Sequence, residues 1–198
     1  MMMDGTTGIY IRKLYNSTPI SIYVGLFAVF CLGVLFLIKR KGLKKGMKQS
    51  FGLLACEYVI LIYCSTVIFR KTVGAVGHNL NPFWSYTAIQ NGQTDLIDVV
   101  VMNVMAFVPI GVLIGLAFSK MKWWIVVQIG IGISLAVEVL QYILKRGYAE
   151  VDDVIHNTLG CLIGFMLVKK IKGIWKFCSF LFVPQWGRHP KDAEIQEP

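Results

Sequence analysis

Five apolar blocks govern what this chain can fold into. Residues 20–38 carry no charge, 51–69 only Glu57, 99–119 none, 123–144 only Glu138, and 154–168 none. Blocks of this kind match the ~20 apolar residues with which a helix crosses a ~30 Å hydrocarbon layer. A soluble domain of 198 residues would need a polar exterior. With 56% hydrophobic and only 16% charged residues, that exterior is missing. The expected fold is therefore all-α: a polytopic bundle of about five transmembrane helices.

Lysine and arginine give its orientation. The loop 39–50 holds Lys39, Arg40, Lys41, Lys44, Lys45 and Lys48; the turn near 119–122 holds Lys120 and Lys122; the tail holds Lys169, Lys170, Lys172, Lys176, Arg188 and Lys191. These fourteen fall on one side of a five-span bundle. Arg12, Lys13, Arg70, Lys71, Lys145 and Arg146, six in all, fall on the other. The bias predicts N-out, C-in. The net charge of +9 is then a topology signal directed at lipid headgroups, and no nucleic-acid partner is expected. Residues 1–38 do not read as a cleavable signal peptide, because the positive charges follow the apolar run. The cysteines at 31, 56, 64, 161 and 178 all fall in spans or on the inner side, so no disulfide is expected.

Along the chain, 1–19 reads as a polar N-terminal segment and 20–170 as the transmembrane domain. Residues 171–198 read as a cytosolic interfacial stretch followed by a disordered tail. The outer connection 70–96 contains "NLNPFWSYTAIQNGQTD". Its Pro, Gly and Asn residues argue against one continuous helix, and Phe83, Trp84 and Tyr86 suit the membrane–water interface.

Polarity gathers near the outer ends of spans three to five. At ~1.5 Å rise per residue, Asn103 and Glu138 lie about 9 Å deep, and Gln141 and Asn157 about 4–5 Å deep. Asp98, Asp152 and Asp153 sit at the boundary. Ser134, Glu138, Gln141 and Lys145 share one stripe of span four. Asp153, Asn157, Gly160 and Gly164 share one of span five. The pairs Gly111/Gly115 and Gly160/Gly164 are G-x-x-x-G motifs that let helices approach closely. Spans three, four and five are thus expected to pack together below a polar cleft open to the outside.

Simpler roles compete at each position. Asp95 with Asp98, Asp152 and Asp153 could cap helices. Asn103 and Asn157 could bond across helices, and Pro109 could only kink span three. Glu138 is the hardest to place this way. It requires a cation, a proton or water, and Arg146 is the nearest candidate cation above it. Glu57 lies nearer the inner end, within reach of the basic loop. His156 near Asp153 and Glu138 falls short of a metal motif; neither a metal nor a cofactor is expected. Glu138 and Asp153 could serve as acid and base, but no activated Ser or Cys accompanies them, and no catalytic residue is assigned.

The stretches "DVVVMNVMAFVPIGVLIG" and "EVLQYILKRGYAEVDDVIHNTLGCLIG" resemble the two signature blocks of the VanZ-like membrane family. The matching positions are Asp98, Asn103, Phe107, Pro109, Gly111, Glu138, Gln141, Arg146, Asp153, Asn157, Thr158 and Gly160. "NLNPF" resembles the family's lead-in, and the likeness covers about 53–168. The resemblance implies a multi-pass protein of the bacterial cytoplasmic membrane, linked to resistance to teicoplanin-type glycopeptides.

The expected function is reduced glycopeptide susceptibility through binding of an amphiphile at the outer leaflet: a membrane lipid, a lipid-linked wall precursor or a lipoglycopeptide. Lys145 and Arg146 would attract an anionic headgroup. Asp98, Asn103, Glu138, Gln141, Asp153 and Asn157 would complete the ligand-binding set. Two other readings stay open: an enzyme on lipid-linked envelope substrates with Glu138 and Asp153 as acid and base, and a small transporter or structural partner.

Overall fold

A computed structural model describes residues 19–71 and 77–182. Helix α1 spans Ile20–Lys41 and α2 spans Leu43–Tyr63, the latter running on into a π-helical turn, Cys64–Ile68. A two-residue strand β1 (His78–Asn79) and the short helix α3 (Trp84–Gln90) precede α4 (Asp95–Ala117). Helix α5 (Trp123–Ile143), strand β2 (Ala149–Glu150) and helix α6 (Val151–Phe182) complete the chain. Among the described residues, five stretches are helical, long and apolar enough to cross a membrane: Ile20–Lys41, Lys45–Ile68, Asp95–Ala117, Trp123–Ile143 and Val151–Ile174. The all-α bundle expected from the block pattern is the fold observed.

Helix α6 is the hub. It packs along most of α4 and also on α5, while α4 and α5 barely touch each other. The three helices are therefore not mutual neighbours, as the shared polar level had suggested. The α4–α6 crossing is built on glycine. A Cβ at Gly160 would strike the Val104 carbonyl, one at Gly164 the Val108 carbonyl, and one at Gly111 the Cys161 carbonyl. Both G-x-x-x-G pairs thus serve one interface, interlocked from both sides. Beneath it lies an apolar core of Phe107, Ile110, Ile114, Val126, Val137, Cys161 and Phe165, joined by Ile62 and Val67 from the second span.

Helix α2 is tied to both sides of the hub. The Tyr58 hydroxyl donates to the Ala106 carbonyl and the Tyr63 hydroxyl to the Ile133 carbonyl, each at 3.1 Å. Helix α1 packs on α2 and buries none of its residues. Its exposed apolar side chains are those expected of a lipid-facing helix.

The two ends of the bundle differ. At one end, lysines satisfy the carbonyls left open by the last turn of α4. Lys169 Nζ donates to the Ser119 carbonyl at 2.6 Å and Lys172 Nζ to the Gly115 carbonyl at 2.8 Å, while Lys48 Nζ reaches the Ser119 hydroxyl at 3.3 Å. At the other end stand the π-turn, β1, α3 and β2. Helix α6 passes residue 170 without a break. The stretch from 171 to 182 continues α6. Residues 1–18, with Arg12 and Lys13, and the tail from 183 lie outside the described residues.

Candidate functional site

The polar end is assembled from the π-turn, α4, α5, β2 and α6. Its foundation is the π-helical turn that closes the second span, where the Phe69 N–H bonds the Cys64 carbonyl five residues back at 2.9 Å. Ser65 and Thr66 turn their hydroxyls onto the Leu61 and Ile62 carbonyls at 2.6 and 2.8 Å, the back-bonding that loosens a helix. The Thr66 carbonyl accepts the Gln141 amide at 3.1 Å. Irregular turns of this kind recur at functional sites. This one delivers Arg70 to the polar end.

Helix α5 ends below it. Lys145 adopts a left-handed conformation (φ 54°), and the Arg146 N–H returns to the Gln141 carbonyl at 2.7 Å, a Schellman-type closure. Lys145 consequently leaves the stripe that Ser134, Glu138 and Gln141 form and is exposed, whereas those three are buried. Strand β2 follows and pairs parallel with β1, His78 with Ala149 and Asn79 with Glu150. The pairing leaves the Glu150 N–H facing Glu138, whose Oε2 accepts it at 3.0 Å.

Helix α6 begins with two aspartates that face different ways. The Asp152 carboxylate is buried and caps α3 from across the fold. It accepts the Phe83 N–H at 2.5 Å, the Ser85 N–H at 2.9 Å and the Ser85 hydroxyl at 2.5 Å. Asp153 accepts the Asn103 amide of α4 at 2.6 Å. One turn on, the Asn157 amide donates to the Ser134 hydroxyl at 2.8 Å.

Charge converges here. Glu138, Glu150 and Asp153 act on one another electrostatically, and Arg70 is the cation acting on all three. Arg146, expected to balance Glu138, instead donates through Nη1 to the Arg70 carbonyl. It anchors the arginine that fills that role. Gly147 makes room: a Cβ there would stand 3.3 Å from the Gln141 side-chain oxygen and 3.4 Å from Arg70 Nη1. Burial raises the Glu150 carboxyl above its usual range. The Trp84 indole and Arg70 oppose that shift, and Asp152 reinforces it.

The structure thus joins Asn103 to Asp153, Glu138 to β2, Gln141 to the π-turn and Asn157 to Ser134. The open cleft expected from their depths is a packed cluster. Glu138, Gln141 and Asn157 are buried, and each spends a polar atom on a protein partner. Asp153, Glu150 and Arg70 are half-buried and form its accessible side. Asp98 is exposed in the first turn of α4, about 140° round the helix from Asn103, and is not part of that pair. His156 turns away from Glu138 and meets the Tyr86 hydroxyl at 3.1 Å. Among the described residues, no group of three or more His, Cys, Asp or Glu could hold a metal.

Arg70, Glu150 and Asp152 were not singled out as site residues from sequence. Arg70 entered only as one of six outer charges. The available signal was its place at the end of a span that faces three carboxylates.

The VanZ/LLP1 family model matches residues 26–176. The chain belongs to the VanZ family. Protein VanZ of Enterococcus faecium is 32% identical over 128 residues, covering 62% of this chain and 74% of that protein. No solved structure matches. The VanZ match extends on both sides of the region carrying the sequence motifs and takes in every residue of the polar cluster, Arg70 included. Motif positions of the VanZ-like pattern that lie 50 residues apart, Asn103 and Asp153, are hydrogen-bonded partners.

Proposed function

We propose that this VanZ-family protein lies in the bacterial cytoplasmic membrane and lowers susceptibility to teicoplanin-type glycopeptides by binding an amphiphile at its polar end. Its orientation is N-out, C-in, which turns the cluster toward the outer leaflet. One observation carries the reading of the ligand. Four carboxylates, Glu138, Glu150, Asp152 and Asp153, gather with two guanidiniums, Arg70 and Arg146, of which Arg146 is engaged by a main-chain carbonyl. By formal count the carboxyl groups outnumber the guanidiniums by two, a difference that protons or a cation can offset. In this proposal the completing polar group is an amine, met by Asp153 and Glu150 on the accessible side. An anionic headgroup at Lys145 and Arg146, as expected from the sequence, is the alternative that the phosphate probe below tests. The apolar faces of α4 and α6 beside it would hold the chain.

The test uses purified protein in nanodiscs and three probes of equal chain length: an alkylamine, its N-acetyl derivative and an alkyl phosphate. The amine should raise the melting temperature, and Asp153→Asn should remove the effect. A larger response to the phosphate would reverse the sign of the ligand and reject the proposal. Orientation is checked separately. A cysteine at the exposed position 148, in a cysteine-free background, should label from outside; Gly147 is buried and unsuitable.

A second reading rests on the coupling between Glu138 and Asp153, the arrangement an acid–base pair requires. Covalent change in a lipid extract incubated with the reconstituted protein would favour it over binding.

A further inference from the structure

The basic end carries a feature unconnected with the polar cluster. Between the first turn of α5 and the adjoining face of α6 lies a groove of about 440 Å³, inside the range of ~300–1,000 Å³ usual for small-molecule sites. Phe165, almost wholly buried, is its floor. Trp123 and Trp124 wall one side, 56% and 44% exposed, and Met166 the other, 46% exposed. These side chains are too open for a core and too apolar for water.

Two ammonium groups stand over this apolar trough. Lys122 Nζ lies 6.0 Å from the centre of the Trp124 ring and Lys169 Nζ 5.2 Å from that of Phe165. Rings at these distances hold a cation by their quadrupole. Lys169 is fixed further by its bond to the Ser119 carbonyl. The Lys169 ammonium is thus set before any ligand arrives, which reduces the ordering cost of binding. No carboxylate lines the groove, so both charges are available to a partner. The first turn of α5 also lacks a side-chain cap, which adds to the positive potential there.

An apolar trough with two cations at its rim, at the level where tryptophans meet the membrane surface, is complementary to an anionic amphiphile. We propose that the groove between α5 and α6 binds a single anionic phospholipid, its phosphate between Lys122 and Lys169 and an acyl chain along Trp123, Trp124, Phe165 and Met166. The lipid would bridge two helices of which α6 is the hub, so its binding would stabilise the α5–α6 contact. Long-range attraction to an anionic surface would occur with any exposed lysine. The groove adds a fixed stoichiometry and a headgroup preference.

Native mass spectrometry of the full chain with added phosphatidylglycerol, phosphatidylcholine of identical chains, or inorganic phosphate tests this. One phosphatidylglycerol should be retained at a concentration at least tenfold lower than phosphatidylcholine. Lys122→Gln with Lys169→Gln should abolish that preference. Lys39→Gln with Lys41→Gln, which removes the same charge from α1, should leave it intact. Because Lys169 also closes α4, Lys122→Gln alone is the second variant; a loss of at least threefold is expected from a folded protein. Equal retention of the two lipids, an undiminished preference in folded Lys122→Gln, or an equal loss in the α1 variant overturns the proposal. Displacement of phosphatidylglycerol by equimolar inorganic phosphate would identify a free-anion site and overturn it as well.

Discussion

The Asn103 amide of α4 donates to the Asp153 carboxylate of α6 at 2.6 Å, and the next residue, Val104, sets its carbonyl against Gly160, about two turns further along α6. A polar bond and a backbone contact therefore lock the same crossing. The bond positions the carboxylate; the contact fixes the distance across which it forms.

Breaking the bond from one side should cost more than removing both partners. Asn103→Leu leaves the half-buried Asp153 oxygen without its donor, a loss of about 1–3 kcal/mol. Asp153→Leu with Asn103→Leu removes the need for the bond and should be less destabilised than the single variant. Melting in detergent, read as a double-mutant cycle, should give a coupling of about 0.5–2 kcal/mol.

Glycine at 160 is required by contact, whatever its helix propensity. Gly160→Ala forces α4 and α6 apart, because the new methyl group meets main-chain atoms that cannot rotate away. A loss of at least about 2 kcal/mol, or failure to accumulate in the membrane, is expected. Gly132→Ala is the control. Nothing lies within 4 Å of its Cβ position, so the change should be neutral or stabilise by up to ~1 kcal/mol. Thermal melts of the two variants side by side provide the comparison.

Much of this architecture was legible because lipid imposes simple rules. Block length gave the five spans, and glycine spacing gave the α4–α6 crossing. Equal depths matched Asn103 with Glu138 and Gln141 with Asn157, whereas the partner of Asn103 is Asp153, placed by the sequence at the boundary. Pairings that depend on departures from ideal helix geometry were not legible. Nothing in "CSTVIFR" announces a π-turn, so Arg70 could not be aimed at the carboxylates. Arg146 was the natural choice for Glu138 while α5 was drawn as a straight helix. The left-handed Lys145 ends that helix and sends Arg146 to a carbonyl. Asp152 and Asp153 are adjacent in sequence, and only the fold decides that one caps α3 and the other meets α4.

Glu150 gives the polar end a pH dependence of definite sign. Burial raises its carboxyl above the ordinary value of 4.5 in the folded protein, with Trp84, Asp152 and Arg70 modifying the shift. The folded state then binds the proton more tightly than the unfolded chain. Its stabilising contribution is present below pH 4.5 and is lost as pH rises through the higher folded value. Glu150→Gln keeps the main-chain N–H that Glu138 accepts and removes the titration. The variant should melt higher than the parent at pH 7 and converge with it near pH 4. A parent that instead gains on the variant as pH rises would reject this account.

Arg70 and Arg146 should fail in different ways. Arg70 is the charge balancing Glu138, Glu150 and Asp153, so Arg70→Gln leaves the cluster with an uncompensated excess of negative charge. Some of that excess is relieved by proton uptake, and the variant should still reach the membrane. It should nevertheless lose the proposed effect on teicoplanin susceptibility, because the carboxylates are no longer held in place. Arg146→Gln removes the donor to the Arg70 carbonyl and loosens the chain that delivers Arg70. Its first consequence should be a lower melting temperature. Glu138→Gln preserves an acceptor for the Glu150 N–H while removing the buried charge. If Glu138 only joins α5 to β2, this variant should be neutral or mildly stabilised and keep its effect. If its charge sets the position of Arg70, Glu138→Gln should reproduce the Arg70→Gln phenotype, and the double variant should be no worse than either single one. Susceptibility is measured at matched membrane abundance. Full effect in both folded single variants would remove Arg70 and Glu138 from the site and leave them as supports of the fold.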